Sequence, residues 1–271
     1  MIWFRTILCT FLLSCFLSIG HAQETEKNDN PGAKEAKKKD WEFTLTPYAW
    51  LAGMSTDVGG DKIRQSFNDL SSVTNLGFQV AGSVRYKRWL LHSNFTYANL
   101  QAGESIGPID VNIELLQLIW DNKIGYMVID KKEEGDDVIR GWTMETTLGA
   151  IYWSNDLDLR LEFTGDLPLE PIYLPQGQNW TDLVVGVNFD IIVSRTVSLG
   201  LSSNLGGFGI GGSSTLYWDL MYINTFKVSK LFTVIAGYKT FTYEREDGSG
   251  EDLLTTKVKT YGPLLGVSFH F

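Results

Sequence analysis

Phe78-Gln79-Val80-Ala81-Gly82-Ser83-Val84-Arg85-Tyr86-Lys87 alternates along its whole length. Phe78, Val80, Gly82, Val84 and Tyr86 form one set, and Gln79, Ala81, Ser83, Arg85 and Lys87 the other. A β-strand sends successive side chains to opposite faces, so this stretch presents one apolar and one polar face. Outward from it, a period of two recurs over ten runs: 41–53, 75–87, 89–102, 108–130, 138–154, 179–193, 195–208, 213–227, 230–245 and 255–271. No segment carries a sustained stripe at helical spacing. These runs exceed the ~5–6 residues usual for a strand of a soluble sandwich. They are long enough to cross a bilayer at a tilt.

Composition agrees with that reading. Aromatic residues make up 13% of the 271 residues, with 9 Trp and 11 Tyr, while 20% are charged. The apolar content is therefore spread along strands rather than gathered into spanning helices, and the Trp and Tyr that cap many runs suit aromatic girdles at lipid headgroups. Connections alternate in kind. Tight or charged turns fall at Lys87-Arg88, Lys131 to Asp137, Ser194-Arg195 and Val228-Ser229-Lys230; longer or glycine-rich ones span 54–74, 103–107, 155–178, 209–212 and 246–254. Short turns face the periplasm and long loops face outward in barrels of this kind. An even number of strands lets the last pair antiparallel with the first, leaving no unpaired edge in lipid. The expected fold is all-β: a transmembrane antiparallel up-and-down β-barrel of about ten strands, with eight or twelve as alternatives.

The N-terminus fixes the compartment. Residues 1–22 combine Arg5, an apolar stretch from Ile7 to Ile19, and Gly20-His21-Ala22 with small residues at −3 and −1. This is the pattern of a cleaved secretory signal peptide, too short for a spanning helix. Leu12-Leu13-Ser14-Cys15 offers a lipoprotein processing site as the alternative, although the apolar stretch continues beyond it. Both cysteines, Cys9 and Cys15, lie in this segment, so a chain cleaved after Ala22 has no thiol or disulfide. Residues 23–40, rich in Lys, Glu, Asp and Asn, read as a disordered periplasmic tail. Residues 41–271 form the barrel. A net charge of −9 argues against nucleic acid as a partner.

In the last strand, Tyr261, Pro263, Leu265, Val267, Phe269 and Phe271 alternate down to a terminal aromatic. Tyr261, Val267, Phe269 and Phe271 resemble the signal by which outer-membrane barrels are recognised by their assembly machinery. LTPYAWLAGM at 45–54, SFNDLSSVTNLGFQVAGSVRY at 66–86, GGFGIGG at 206–212 and YGPLLGVSFHF at 261–271 together resemble a broad, uncharacterised family of proteobacterial outer-membrane β-barrel proteins. The resemblance implies fold and a place in the outer membrane of a Gram-negative envelope, with outer-membrane lipids and lipopolysaccharide as neighbours. It carries no substrate and transfers no catalytic residue.

Assigning the polar face of each strand to the lumen turns Glu42, Arg85, Lys87, His92, Gln117, Asp121, Lys123, Glu145, Asn188, Asp190, Asp219 and Lys239 inward. Acids and bases nearly balance there, without the single-sign ring of an ion-selective filter. A ten-stranded barrel is little wider than the eight-stranded kind whose side chains fill it. The set is then either a plug of ion pairs and hydrogen bonds or a thin hydrophilic path for small solutes. Two enzyme types occur on barrels of this size. Omptin-like proteases need a His and several Asp at the outer rim, whereas His92 and His270 both fall near the periplasmic end. Lipid A deacylases use His and Ser, but alternation sends His92 and Ser93 to opposite faces.

Gly206 to Gly212 precedes a strand and lacks the Lys-Ser/Thr of a phosphate loop, so it reads as a hairpin turn. Asp156, Asp158, Glu162, Asp166, Glu170, Glu244, Glu246, Asp247, Glu251 and Asp252 make the outer loops acidic, without the spacing of a calcium loop. Phe67, Leu70 and Val73 recur at helical spacing, predicting a turn or two of helix in the first loop. No motif implies a catalytic residue, a cofactor or a metal. The function expected is a narrow passive channel for small hydrophilic solutes. The alternatives are a non-transport structural or surface-interaction barrel with a plugged lumen and, third, an enzyme acting on lipid or peptide.

Overall fold

The alternating runs fold into one wall. The structure, a computed structural model, describes residues 41–106, 109–134, 139–163, 172–248 and 254–271. The expected signal peptide and tail lie outside the described residues, as do Asp166, Glu170, Glu251 and Asp252. The strands are β1 (Trp41–Trp50), β2 (Gly53–Val58), β3 (Asp61–Gln65), β4 (Thr74–Tyr86), β5 (Trp89–Ile106), β6 (Ile109–Glu134), β7 (Ile139–Phe163), β8 (Ile172–Ile192), β9 (Val197–Gly207), β10 (Leu216–Lys227), β11 (Phe232–Asp247) and β12 (Leu254–His270). The described wall runs β1-β4-β5-β6-β7-β8-β9-β10-β11-β12, each pair antiparallel. β12 then pairs back to β1, with Thr44 opposite His270 and Trp50 opposite Leu264. That closure satisfies the backbone groups an open sheet would leave bare in lipid. The ten-stranded transmembrane barrel of the sequence analysis is the fold observed.

The outward faces locate the membrane. On β5, β10 and β12 the same eight-position spacing separates Trp89 from Tyr97, Trp218 from Phe226, and Tyr261 from Phe269, close to the ~9–11 residues a tilted strand needs to cross. Lower-girdle rings pair across strands: Trp41 with Tyr86 at 4.5 Å, Trp89 with Tyr126 at 4.9 Å, and Trp142 with Phe189 at 5.5 Å. Leu91, Ile124, Leu148, Val185 and Leu265 stand exposed between the girdles, as lipid-facing side chains must.

Four strands run far beyond this band. β6 has 26 residues and β7 has 25, an extended length of about 85 Å at ~3.3 Å per residue. The segment expected as a loop at 155–178 is therefore largely strand. Its alternation continues with reversed polarity: outward positions become Glu114, Asp156, Asp158, Arg160 and Glu162, while inward positions become Ile113, Leu115, Leu157, Leu159 and Leu161. The reversal marks where the solvent outside the wall changes from lipid to water.

The first loop is also structured. β2 pairs with the outer part of β12, and β3 with β2, a hairpin that the sequence analysis did not anticipate. The helix expected there is α1, Phe67–Val73. Ser66 caps it reciprocally: the Ser66 hydroxyl accepts from the Asp69 backbone N–H, and the Asp69 carboxylate accepts from the Ser66 N–H. The Ser66 hydroxyl also donates to that carboxylate at 2.7 Å, and this bond first, then the one from the Ser66 N–H, holds the Asp69 carboxyl below its ordinary value. The glycine run ends β9 in a compact turn with positive φ at Gly207, Phe208, Gly209, Gly211 and Gly212, a conformation that glycine adopts without steric cost.

Candidate functional site

Inward-facing side chains build the lumen in layers. At the mouth on the side of the short turns, Arg85 lies 3.0 Å from Asp130 and 3.9 Å from Glu42, and Lys132 joins Asp130 at 3.5 Å. His270 sits between the Thr44 and Thr233 hydroxyls at 3.3 and 2.9 Å. One layer further in, His92 Nε2 meets Glu145 Oε1 at 2.7 Å, and Asn188 Nδ2 donates to the other Glu145 oxygen at 3.0 Å. Glycines make room for this network. A Cβ at Gly125 would stand 1.5 Å from Glu145 Oε1, and one at Gly186 2.0 Å from Asn204 Oδ1. Asp190 faces the same cavity and pairs with the Thr143 hydroxyl at 3.5 Å.

Near mid-height, Lys123 pairs with Asp121 at 2.7 Å. Asp219 accepts from Asn204 Nδ2 at 2.9 Å and from the Tyr217 hydroxyl at 2.6 Å. Lys239 spreads its ammonium over the Trp50 ring at 5.0 Å. Gln117 donates to Asn155 at 3.1 Å. Two connected spaces of about 620 and 200 Å³ lie among these groups. They share His92, Asn94, Asn188 and Ser202 as lining. The larger reaches the mouth on the side of the short turns, at Glu42 and His270.

The structure turns Glu42, Arg85, His92, Gln117, Asp121, Lys123, Glu145, Asn188, Asp190, Asp219 and Lys239 towards the inside of the barrel. Lys87 is the exception. It occupies the β4–β5 turn with φ 56° and lays its ammonium over the Tyr86 ring on the outer surface, because the strand and its alternation end at Tyr86. His92 and Ser93 separate as alternation requires: Ser93 faces lipid and accepts from the Trp120 indole at 3.0 Å. Tyr261, Phe269 and Phe271 line the exposed outer face of the closing strand.

Above mid-height the polar-face rule fails. Ile151, Trp153, Trp180, Val184, Tyr217, Phe241, Tyr243 and Val258 all turn inward and are buried against one another. Trp153 stacks on Trp180 at 5.5 Å and 10°, with Tyr217, Phe241 and Tyr243 packed edgewise or tilted against Trp153. At the centre lies Asp182, 0% exposed. Its Oδ1 accepts from the Ser214 N–H at 2.7 Å; its Oδ2 accepts from Trp153 Nε1 at 2.9 Å, Ser214 Oγ at 2.9 Å and Trp180 Nε1 at 3.2 Å. Arg245 covers the stack, its guanidinium 4.2 Å from the Trp180 ring centre.

This cluster is hidden in the sequence, since Trp153, Trp180 and Tyr243 near the ends of alternating runs look like girdle residues. Parity was the available signal. Trp153 shares its face with Glu145, and Trp180 with Asn188 and Asp190, which puts both indoles on the lumen side.

No protein-family model and no curated protein matches this chain. Among solved structures, the chain is similar to the outer membrane protease OmpT of Escherichia coli. That match has a TM-score of 0.51 at 8% identity and covers 86% of this chain and 97% of that one. Looser matches include Ail of Yersinia pestis, with a TM-score of 0.33 at 12% identity over 86% of this chain and all of that one. OprG of Pseudomonas aeruginosa also gives 0.33 at 12%, over 86% of this chain and 96% of that one. The OmpT likeness speaks for the barrel fold; the two looser ones carry no argument.

Proposed function

We propose that this chain is an integral outer-membrane barrel that does not pass solutes, and that it acts through the strands it projects beyond the membrane. The aromatic plug carries this reading: eight buried apolar side chains and the fully buried Asp182 fill the outer half of the lumen. Water in such a layer would have to displace stacked rings and the donors already bonded to Asp182. Export by a cleaved signal peptide, folding by the barrel assembly machinery and a setting among lipopolysaccharide belong to the same proposal. So does the absence of catalysis. His92 is engaged by Glu145 deep in the lumen, and Ser93 lies on the opposite face.

The channel reading draws on one observation, the cavity of about 620 Å³ that opens towards the periplasm. A liposome-swelling assay separates the two. Vesicles carrying the refolded full chain, or a variant lacking residues 54–74, should swell no faster in arabinose than empty vesicles. Swelling by the full chain would restore the channel. Swelling only on deletion would make the first loop, rather than the plug, the seal.

A further inference from the structure

The wall closes within the membrane, but not above it. β8 pairs with β9 only from Leu183 opposite Gly207 inward, because β9 ends at Gly207 and the chain turns back through residues 208–215. On its other side β8 stays laddered to β7 as far as Ile172 opposite Leu161. Ile172–Asn179 is thus strand with a neighbour on one side among the described residues, and every residue in it is exposed. Pro175 fits such an edge, since proline in a sheet turns its missing N–H to the open side. An open edge of this length is a template for another strand.

The two faces beside the edge specify what would fit. The inward face carries Leu157, Leu159 and Leu161 of β7 with Ile172 and Leu174 of β8, followed by Gln176 and Gln178. The outward face carries Glu114, Asp156, Asp158 and Glu162 against one base, Arg160, which is already paired with Glu162 and stacked 5.1 Å from the Tyr173 ring centre. A depression of about 700 Å³ beside the edge is lined by Glu114, Asp158, Arg160, Glu162 and Tyr173, with Leu159 and Leu174 from the other face. A strand added here would set one row of side chains beside Ile172 and Leu174 and the other beside Tyr173, Pro175 and Gly177, across which a long basic side chain reaches the acids of β7. We infer that Ile172–Asn179 is a docking edge for an extended polypeptide in which apolar and basic residues alternate. Its backbone would add to the open ladder, the mode known as β-augmentation. A second copy of the chain does not match this face. In the same membrane its β8 would run parallel to this one, and Ile172–Asn179 offers no basic residue to meet the acids.

This inference rests on the surface-interaction reading of the previous subsection and is tested apart from it. The probe is a fluorescent eight-residue peptide of alternating Val and Lys, titrated by anisotropy against the full chain in phosphatidylcholine nanodiscs. The alternating peptide should bind at least tenfold more tightly than a peptide of four Val followed by four Lys, and than one with Glu for Lys. Methylating every second amide should abolish binding in one of the two registers. Residues two apart direct their N–H groups to the same side of a strand, so Gly177→Pro removes a donor from the open edge while sparing the β7 ladder. It should weaken binding tenfold or more, whereas Gly177→Ala, which brings the same Cβ to 2.9 Å from Asp156 Oδ1 but keeps the N–H, should bind as the wild type does. Asp156→Asn with Asp158→Asn, both on the exposed face, should weaken it severalfold without affecting folding. Equal binding by the blocked peptide, meaning adsorption to an acidic surface, would overturn the inference. So would binding unaffected by both methylation registers. Liposome swelling reports on the sealed lumen whatever the peptide does.

Discussion

Replacing Asp182 by Ala removes the acceptor that holds the plug together. The carboxylate is fully buried and takes four hydrogen bonds. Trp180 Nε1 keeps a partner in Ser214 Oγ at 3.1 Å, and that hydroxyl can rotate to a new acceptor. The Ser214 N–H and Trp153 Nε1 are left unsatisfied in an apolar cluster, at ~1–3 kcal/mol each. The vacated space adds a packing loss, offset in part by no longer burying a carboxylate that lacks a cation. The net cost should be about 3–5 kcal/mol. Equilibrium urea unfolding in lipid vesicles, followed by tryptophan fluorescence, would show it as a midpoint lower by about 1–2 M at unchanged slope. Asp182→Asn keeps one acceptor but turns an amide N–H₂ toward a donor, and should lose less. A change below ~1 kcal/mol for Asp182→Ala would refute the role given to this carboxylate.

Three further outcomes follow from the geometry. Gly125→Ala drives a methyl into Glu145 Oε1 and should destabilise by about 1–3 kcal/mol in the same urea assay; Gly77→Ala, whose Cβ meets only ordinary contact at 3.7 Å, should be near neutral. Leu148, outward-facing between Trp142 and Tyr152 and 65% exposed, should cost about 2–4 kcal/mol when replaced by Arg if it stands near the bilayer midplane. The Asp69 cap is titratable. Its carboxyl lies below the ordinary value of 3.8, so its contribution is complete above that pH and is lost as pH falls through the lower folded value. Amide protection at Ser66 and Asp69, taken relative to intrinsic exchange, should therefore fall in acid, and Asp69→Asn should remove that fall.

The strands were legible because lipid imposes a rule that sequence displays directly: outward positions must be apolar over about one membrane thickness. Phe78 to Tyr86 obeys it, and so does Tyr261 to Phe269. The lumen imposes a weaker rule. It accepts charge where water reaches it, as at Arg85 and His92, and aromatic rings where it is packed shut. Trp153 and Trp180 therefore broke the assignment of polar faces to the interior. Beyond the membrane the alternation persists while its polarity reverses. Asp156-Leu157-Asp158-Leu159-Arg160-Leu161 could be read as an acidic loop when the acids were weighed without their spacing. The β2–β3 hairpin left little trace, because its strands, of six and five residues, are too short for alternation to stand out, and only β2 is tied to the wall, by β12.

Single-channel conductance in a planar bilayer tests the sealed lumen most directly, using the full chain beside a variant in which Trp153, Trp180 and Tyr243 are all replaced by Ala. The wild-type chain should remain silent, and the variant, with the outer constriction emptied, should show discrete openings. Steady wild-type conductance, unchanged when those three rings are removed, would contradict the account.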